Sequence, residues 1–135
     1  MNIPVKSEYA LKALFELSMH WPKDEPMPIH IISKRQGIPL KFLTQILLNL
    51  KTMGLVESIR GKQGGYILRK NPSQISVFDV LGPYIKGSGK RKVHSVVDQV
   101  LHEMDAVVMD HLVKITFERI VKRERTLNKA PMYTI

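Results

Sequence analysis

The chain has 135 residues, which suits one compact domain with an extension and is too short for two ordinary enzyme domains. Lysine and arginine outnumber aspartate and glutamate by 21 to 12, and this net charge of +9 favours a polyanionic partner such as nucleic acid or an anionic membrane. The absence of cysteine excludes disulfides, thiol nucleophiles and cysteine-ligated metal centres. Neither a membrane span nor a signal peptide is recognisable, so we expect a cytoplasmic protein with no membrane partner.

The first half of the chain contains three predicted helices. Apolar residues at three- and four-residue steps predict the first from Val5 to Met19, and the proline-rich segment WPKDEPMP then indicates a surface loop. A short helix in IHIISKRQG has Gly37 placed as a left-handed C-cap. A third helix runs from Pro39 to Gly54, with apolar positions at Phe42, Leu43, Ile46, Leu47, Leu50 and Met53. The short second helix and the third form a helix-turn-helix candidate.

A hairpin is predicted directly after these helices. LVESIR and YILRK are strand-like runs separated by GKQGG, whose glycines can take the positive-φ positions of a hairpin loop. Taken alone, RGKQGGYIL also suits a phosphate-binding enzyme loop or an ordinary hairpin. It lacks the spacing and the Lys-Ser/Thr of a nucleotide-binding loop, and neither Gly-x-Ser-x-Gly nor His-Glu-x-x-His occurs. The element order is therefore that of a winged helix-turn-helix domain, and no enzymatic activity is expected.

The second half of the chain is predicted to be helical. Ser76 and Asp79 resemble a capping box that opens a short helix, which Gly82-Pro83 ends. KGSGKRK is a flexible basic connector, and a long helix starts at Val93. Near Thr116 the chain turns and restarts, with Thr116 as the cap, as a short helix through Val121. These elements give a winged domain over residues 1–85, a connector over 86–92 and a C-terminal helical region over 93–135.

The long helix has more apolar surface than one side of a small domain needs. One stripe alternates by three and four residues, and a second runs parallel to it, so a partner helix is implied. We interpret this as a dimerisation helix, although a helix that packs back on its own domain is the alternative. The residues predicted to form the dimer contact are Val97, Val100, Leu101, Met104, Val107 and Val108.

Three stretches carry a resemblance to a known family. SEYALKALFELS, the run IISKRQGIPLKFLTQILLNLKTMGLVESIRGKQGGYILRKNPSQISVFDVL, and ITFERIV are similar, in order and spacing, to the Rrf-type family of bacterial transcriptional regulators. The resemblance implies a mainly α fold with a small β-hairpin, in which winged helix-turn-helix domains dimerise through long C-terminal helices. It also implies that the homodimer binds a palindromic operator in double-stranded DNA as a sequence-specific regulator, and we expect this regulator to be a repressor.

One departure from the family concerns its cofactor. Sensor members of the family place cysteines between the winged domain and the long helix, where they hold an iron–sulfur cluster. The corresponding stretch here, GPYIKGSGKRKVH, contains none. A cysteine-ligated cluster is therefore excluded, no cofactor is expected, and an unidentified small molecule or partner protein is left as the effector.

The third helix carries the residues predicted to read bases. Its first turn should lie in the major groove, where Lys41 can donate to guanine and Thr44 can contact a polar edge or a thymine methyl. Gln45 suits adenine if it faces outward. Positions resembling Lys41, Phe42 and Thr44 read bases in the family. For Phe42 and Gln45 a partly buried, structural role remains an equal alternative.

The wing and the helix ends supply the predicted backbone contacts. Arg60, Lys62 and Gln63 lie at the hairpin, where a long cation can enter the minor groove or bind phosphates. Arg60 resembles the minor-groove arginine of the family. Further phosphate anchors are predicted around the helix ends at Ser7, Tyr9, Lys34 and Arg35, and Tyr9 can equally be a core ring.

Two other interpretations remain open from the sequence. His94, Asp98, His102 and Asp105 share one face of the long helix and could bind a metal ion together with a second chain, although a solvated polar face explains them as well. A basic RNA-binding or interaction module could use the same winged domain without operator specificity. Competition between an operator and random duplex discriminates that module from a specific regulator.

Overall fold

The computed structural model describes residues 3–85 and 92–129. Over those residues the fold is mainly helical with one two-stranded antiparallel hairpin, as the sequence predicts. The elements, in chain order, are α1 Val5–His20, α2 Ile29–Gln36, α3 Leu40–Thr52, β1 Val56–Ile59, β2 Gly65–Leu68, α4 Val77–Ile85, α5 Val96–Lys114 and α6 Phe117–Lys129, with a short 3-10 turn at Pro72–Gln74 before α4.

One hydrophobic core joins the helix-turn-helix to the C-terminal helices. α1 packs against α3, α4 and α6, and the inner face of α3 supplies Leu43, Ile46, Leu47 and Leu50. Burying a large aliphatic side chain contributes roughly 1.5–3 kcal/mol, so this shared core fixes the orientation of α3. The most deeply buried side chains are Phe117, Leu14, Leu17, Ile32, Ile38, Leu43, Leu47, Leu50, Ile75 and Val56.

The turn between α2 and α3 is built around Gly37. Its φ of 65° is left-handed, which confirms the predicted C-cap, and the next residue, Ile38, is buried. The Ile38 N–H donates to the Ser33 carbonyl over 3.1 Å. α3 begins at Leu40, with Pro39 at the N-cap instead of in the first turn. A tight turn of this kind holds the start of α3 at a fixed angle to α2.

The hairpin is anchored by a segment that the sequence predicted to be loop. β1 and β2 pair in register, with Ser58 opposite Tyr66, and Met27 forms a bridge on the other side of Tyr66. The Met27 N–H donates to the Tyr66 carbonyl over 2.9 Å, and the Tyr66 N–H returns the bond over 3.0 Å. Met27 is also buried. Near its end, WPKDEPMP therefore contributes a buried residue that bridges to β2, so the surface-loop prediction is wrong at Met27.

The three glycines of the wing have different roles. Gly61 has a φ of 130°, which favours glycine, as expected for the loop. Gly64 and Gly65 do not have positive φ, so that part of the prediction is wrong. They are needed for close approach instead: a Cβ on Gly65 would lie 2.1 Å from the Met27 carbonyl oxygen, and one on Gly64 would lie 2.5 Å from the Ile59 carbonyl oxygen.

The helix boundaries of the second half differ from the prediction in three places. α4 continues to Ile85 with Pro83 inside it, so Gly82-Pro83 does not end the helix. α5 begins at Val96, because Ser95 caps it by accepting from the Asp98 N–H over 3.1 Å. α6 extends beyond Val121 to Lys129. Most of the connector predicted at 86–92 lies outside the described residues.

The junction of α5 and α6 is tied to the winged domain. Thr116 Oγ1 accepts from the Arg119 N–H over 3.3 Å, which confirms Thr116 as the cap of α6. Backbone bonds run from the Val77 N–H to the Ile115 carbonyl over 2.8 Å and from the Phe117 N–H to the Ile75 carbonyl over 2.9 Å. α6 therefore packs on its own domain, and α5 runs from this junction along α4.

Candidate nucleic-acid interface

The outward surface of α3 divides into three strips, because successive residues are rotated by about 100° around a helix axis. Lys41 and Leu48 lie opposite the buried face and point furthest outward. Thr44 lies on the flank that faces the hairpin, and Phe42 lies on the flank that faces α1 and α4. The predicted base-reading residues therefore do not share one line along α3.

A groove separates α3 from the wing, and its walls come from three elements. Leu40 and Thr44 of α3 form one wall, Arg60 and Lys62 of the wing form another, and His30 of α2 lies at the end. Its volume is about 610 Å³ and it is open to solvent. The structure thus brings the first turns of α3 and the wing cations to one surface.

Thr44 is already bonded within its helix. Its Oγ1 donates to the Leu40 carbonyl over 2.9 Å, which uses the hydroxyl proton. The oxygen lone pairs and the methyl group remain for a ligand. Thr44 therefore suits a base amino group, as acceptor, or a thymine methyl, as an apolar contact.

Lys41, Phe42 and Gln45 of α3 have different surroundings. Lys41 is exposed, with its Nζ 5.0 Å from the centroid of the Phe42 ring. Gln45 Nε2 donates to Asn49 Oδ1 over 3.2 Å, so its amide lies along the helix. Phe42 and Gln45 border a second, apolar pocket against α1 and α4. Both are exposed, and base contact for either stays a prediction.

The wing cations are uncompensated. Arg60, Lys62 and Gln63 are exposed, and the ion pairs of the described residues involve none of them. Lys51 at the end of α3 donates to Ser58 Oγ over 3.0 Å and braces the hairpin against the helix. The exposed side chains of Arg60 and Lys62 therefore form a positively charged surface on the hairpin, which attracts a polyanion.

The phosphate anchors predicted around the helix ends have different outcomes. Ser7 is only 3% exposed in the first turns of α1, and this burial does not favour the phosphate contact predicted for it. Lys34 is exposed on α2. Arg35 is exposed too, but it pairs with Glu16 of α1, with 3.5 Å between Nη1 and Oε2. Tyr9 is half-buried and packs against the core.

Glu16 connects α1 to the helix-turn-helix, and no sequence pattern predicts this role. Its side chain is only 10% exposed, and its Oε1 accepts from Gln36 Nε2 over 2.7 Å. Oε2 faces Arg35. Since a buried carboxylate needs hydrogen-bond donors, Glu16 fixes the end of α2 relative to α1.

We expect Glu16→Ala to lower the free energy of unfolding by about 1–3 kcal/mol, because Gln36 and Arg35 lose a mostly buried acceptor. Urea denaturation followed by circular dichroism measures it. Glu8→Ala is the matched control on α1, since Glu8 makes an exposed pair with Lys12 and should change stability by less than about 1 kcal/mol. Equal losses in both variants would show that Glu16 does not have this role.

Three residues of the groove were missed by sequence reasoning. Leu40 is exposed at the start of α3, and its helical spacing from Leu43 and Leu47 gave no reason to separate it from the core. His30 and Ser58 complete the groove. Their positions follow from the Met27–Tyr66 bridge, which draws the start of α2 against the hairpin. No local pattern indicates that pairing.

The two apolar stripes of α5 separate in the structure. Val97, Val100, Met104 and Val107 are exposed, and Val107 is 69% accessible. The second stripe consists of Leu101, Val108, Leu112 and Ile115. Val108 is partly buried and packs against the chain's own core, and Leu112 is buried. Leu101 is also partly buried. The second stripe therefore holds α5 on its own domain, and the unpartnered apolar face is narrower than the sequence suggested.

The residues considered above as metal ligands do not form a metal site within the described part of one chain. They are His94, Asp98, His102 and Asp105. Asp98 accepts from the His94 N–H over 3.0 Å as part of the N-terminal cap. Over residues 3–85 and 92–129, no group of three or more histidine, aspartate and glutamate side chains is arranged to hold a metal ion. Nor does any helix in those ranges have the length and apolar character to cross a membrane.

The fold and this surface define a class of protein: a winged helix-turn-helix regulator of transcription that binds DNA. A family model described as Rrf2, an iron-dependent transcriptional regulator, matches residues 3–123. The chain belongs to the Rrf2 family, which is not a family of enzymes. The resemblance seen in the sequence is thereby confirmed.

Individual relatives agree with this assignment. The HTH-type transcriptional regulator IscR of Pectobacterium atrosepticum is 30% identical over 140 residues, which cover 96% of this chain and 85% of that one. IscR of Photorhabdus laumondii is 41% identical over 81 residues, which span about half (49%) of that relative and 60% of this chain.

Solved structures are similar over nearly the whole chain. The structure of T. potens IscR matches with a TM-score of 0.84 and 32% identity, covering 98% of this chain and 95% of that one. The structure of CymR, the global cysteine regulator of B. subtilis, matches with a TM-score of 0.80 over 91% and 98% of the two chains. At 24% identity, the second likeness concerns the fold alone.

The family description names iron, but this chain has no cysteine thiolate that could bind it. An iron–sulfur cluster is held mainly by cysteine thiolates, and none of the 135 residues is cysteine. The residues present therefore do not fit a cysteine-ligated cluster. This chain differs from an iron–sulfur sensor because it lacks the cysteines that would bind the cluster.

Proposed function

We propose that the chain is a homodimeric, operator-specific repressor whose switch is not a cysteine-ligated iron–sulfur cluster. The observation that supports it is the groove between α3 and the wing, where Thr44 faces the wing cations Arg60 and Lys62. A reading helix and a cationic hairpin on one surface can engage adjacent grooves of a duplex. Such a protein works in the cytoplasm, where it represses by covering a promoter.

The α3 helix is the element that enters the major groove in this proposal. Lys41 points furthest outward and donates to guanine O6 or N7, while Thr44 on the wing-side flank accepts from an amino group or contacts a thymine methyl. Leu40 provides a second apolar contact for a thymine methyl. Phe42 and Gln45 reach the neighbouring base pair from the other flank.

The wing provides affinity more than sequence preference. Arg60 enters the minor groove, whose negative potential is strongest where the groove is narrow, and Lys62 and Gln63 contact phosphates. Lys34 and Arg35 at the end of α2 are further phosphate contacts. These contacts release counterions, so the affinity depends steeply on salt.

The exposed stripe of α5 is proposed to form the dimer. An apolar strip remains exposed on the face of α5 opposite its packing face, formed by Val97, Val100, Met104 and Val107. A two-fold dimer carries two reading helices, so the operator is an inverted repeat with half-sites about one helical turn, roughly 34–36 Å, apart or a multiple of it.

The assignment of the surface predicts two separable effects. Arg60→Ala should lower operator affinity about tenfold and reduce the slope of log affinity against log salt by about one, because one phosphate-region contact is lost. Lys41→Ala should mainly reduce discrimination against single-base changes in the operator, by about 1–3 kcal/mol at one base pair. Fluorescence anisotropy on labelled duplexes measures both.

Lys23→Ala is the matched control for charge, since Lys23 is exposed in the loop after α1 and does not border the groove. Wild-type affinity, salt slope and base preference are expected for it. If Arg60→Ala and Lys41→Ala behave like this control, the proposed interface is wrong.

A further inference from the structure

A pocket of about 320 Å³ lies on the side of α3 away from the wing. Its walls come from the start of α1, the flank of α3 and the end of α4. The residues that matter for its chemistry are Lys6, Ala10, Phe42, Asn49, Met53 and Tyr84. Because three different helices form the walls, a molecule bound here contacts the reading helix, its support and the helix that leads towards α5.

The rim of this pocket exposes apolar side chains that converge on one space. Phe42, Met53 and Tyr84 are each more than a third exposed, although all three border the pocket. Its inner wall includes Ala10 and Val80, both of which belong to the core. Covering this surface would remove apolar area from water at roughly 25 cal/mol per Å².

The polar groups of the pocket favour an anion. Among the described residues that line it, Lys6 is the one that carries a charge, and none is a carboxylate. The Gln45 amide donates to Asn49 Oδ1 over 3.2 Å, which leaves the Asn49 amide nitrogen as a donor. An ammonium and an amide donor beside apolar walls are the partners that a carboxylate with an apolar body requires.

We propose that this pocket binds a small amphipathic monocarboxylate as an effector. The carboxylate lies between Lys6 and Asn49, and the apolar body packs on Phe42, Met53 and Ala10. A volume of 320 Å³ corresponds to about ten water volumes, so the ligand has on the order of ten to fifteen heavy atoms.

The regulatory consequence rests on the proposed function, whereas the binding does not. Phe42 and Gln45 border both the pocket and the outward face of α3, so a bound ligand changes side chains at the DNA surface. It also neutralises Lys6. We therefore expect the ligand to lower operator affinity, and linkage requires DNA to lower ligand affinity by the same factor.

The test is isothermal titration of the full chain, without DNA, using 4-phenylbutyrate and its neutral analogue 4-phenylbutan-1-ol as probes. The carboxylate is expected to bind at millimolar concentration or below and at least about fivefold more tightly than the alcohol. Lys6→Gln and Asn49→Leu should abolish that preference, and Met53→Trp should block both probes by filling the pocket. Lys23→Gln, a surface lysine outside the pocket, should bind like the wild type.

Several outcomes overturn the proposal. Equal binding of acid and alcohol to the wild type removes the anion site, and unchanged binding in Met53→Trp puts the probes elsewhere. If Met53→Trp instead changes the sedimentation coefficient and the wild type binds neither probe, the pocket is a contact between protomers. All three substituted residues of the pocket are exposed or at its rim, and circular dichroism verifies that each variant is folded.

This titration, together with competition between operator and random duplex, separates this inference from the proposed function. A chain that binds 4-phenylbutyrate but prefers no DNA sequence retains the pocket and contradicts the operator-specific regulator. A chain that prefers its operator but binds neither probe retains the regulator and contradicts the pocket.

Discussion

Replacing Val100 and Val107 together by glutamate is expected to convert the protein from a dimer to a monomer and to lower operator affinity by about 100-fold or more. Both valines lie on the exposed stripe of α5, with 48% and 69% of their surface accessible in the protomer. In a two-fold dimer they would bring four carboxylates into a desolvated apolar contact, at a cost of several kcal/mol.

The loss of DNA affinity follows from the loss of the second half-site. Two linked winged domains bind one operator with an effective local concentration that raises affinity by roughly 10²–10⁴ over a single domain. The protomer fold should be preserved, because neither valine is part of the core. Sedimentation velocity measures the oligomeric state, and anisotropy measures operator binding.

Val113→Glu supplies the matched control on the same helix. Val113 is also exposed, at 51%, but the helical rotation places it well away from the Val100–Val107 stripe. It should remain dimeric with wild-type affinity. A double variant that sediments as a dimer and binds the operator normally would contradict the assignment of α5 as the dimer element.

Gly65→Ala is expected to lower the free energy of unfolding by about 3 kcal/mol and to weaken DNA binding at the same time. The added Cβ would lie 2.1 Å from the Met27 carbonyl oxygen, and backbone atoms form that contact on both sides, so no side chain can move to relieve it. The Met27–Tyr66 bridge must open, and overpacking of this kind typically costs 1–3 kcal/mol before lost hydrogen bonds are counted.

The coupling to DNA binding arises because the bridge positions the wing. Displacing β2 from the segment before α2 changes the groove between Thr44 and Arg60. Urea denaturation gives the stability, and anisotropy gives the affinity. Gln63→Ala, on the exposed tip of the same wing, should leave the stability unchanged within about 0.5 kcal/mol. A Gly65→Ala protein as stable as Gln63→Ala would show that the close approach is not needed.

The helix-turn-helix was predictable because its determinants are local. The apolar spacing of α1 and α3 and the left-handed position of Gly37 are properties of short stretches of sequence. Thr116 was also predictable as a helix cap. In each case one side chain or one repeat decides the conformation.

The features that sequence reasoning missed depend on residues far apart in the chain. The Met27–Tyr66 bridge joins a proline-rich stretch to a strand almost forty residues later, and Gly65 is a glycine because of that bridge, not because of its own φ. α6 is also longer than predicted, and its part beyond Val121 is mostly exposed, so packing against α1 does not explain that extension.

The candidate interface was predictable as a set of residue types and less so as a surface. Exposed cations at Lys41, Arg60 and Lys62 agree with the expectation, while Ser7 is buried. Thr44 faces the wing, whereas Phe42 faces α1 and α4. Which flank of α3 faces which element depends on tertiary packing, so the sequence of α3 alone does not predict it. The cysteine count, in contrast, is a sequence property and excludes a cysteine-ligated cluster without any structure.

The most direct test of sequence-specific binding is selection of duplexes from a random pool by the purified protein, followed by competition between the selected site and random duplex at fixed salt. We expect recovery of an inverted repeat that is preferred by about a thousandfold or more, with one dimer bound per site. Enrichment of no sequence, together with equal affinity for the selected and random duplexes, would contradict it and favour a general nucleic-acid-binding module.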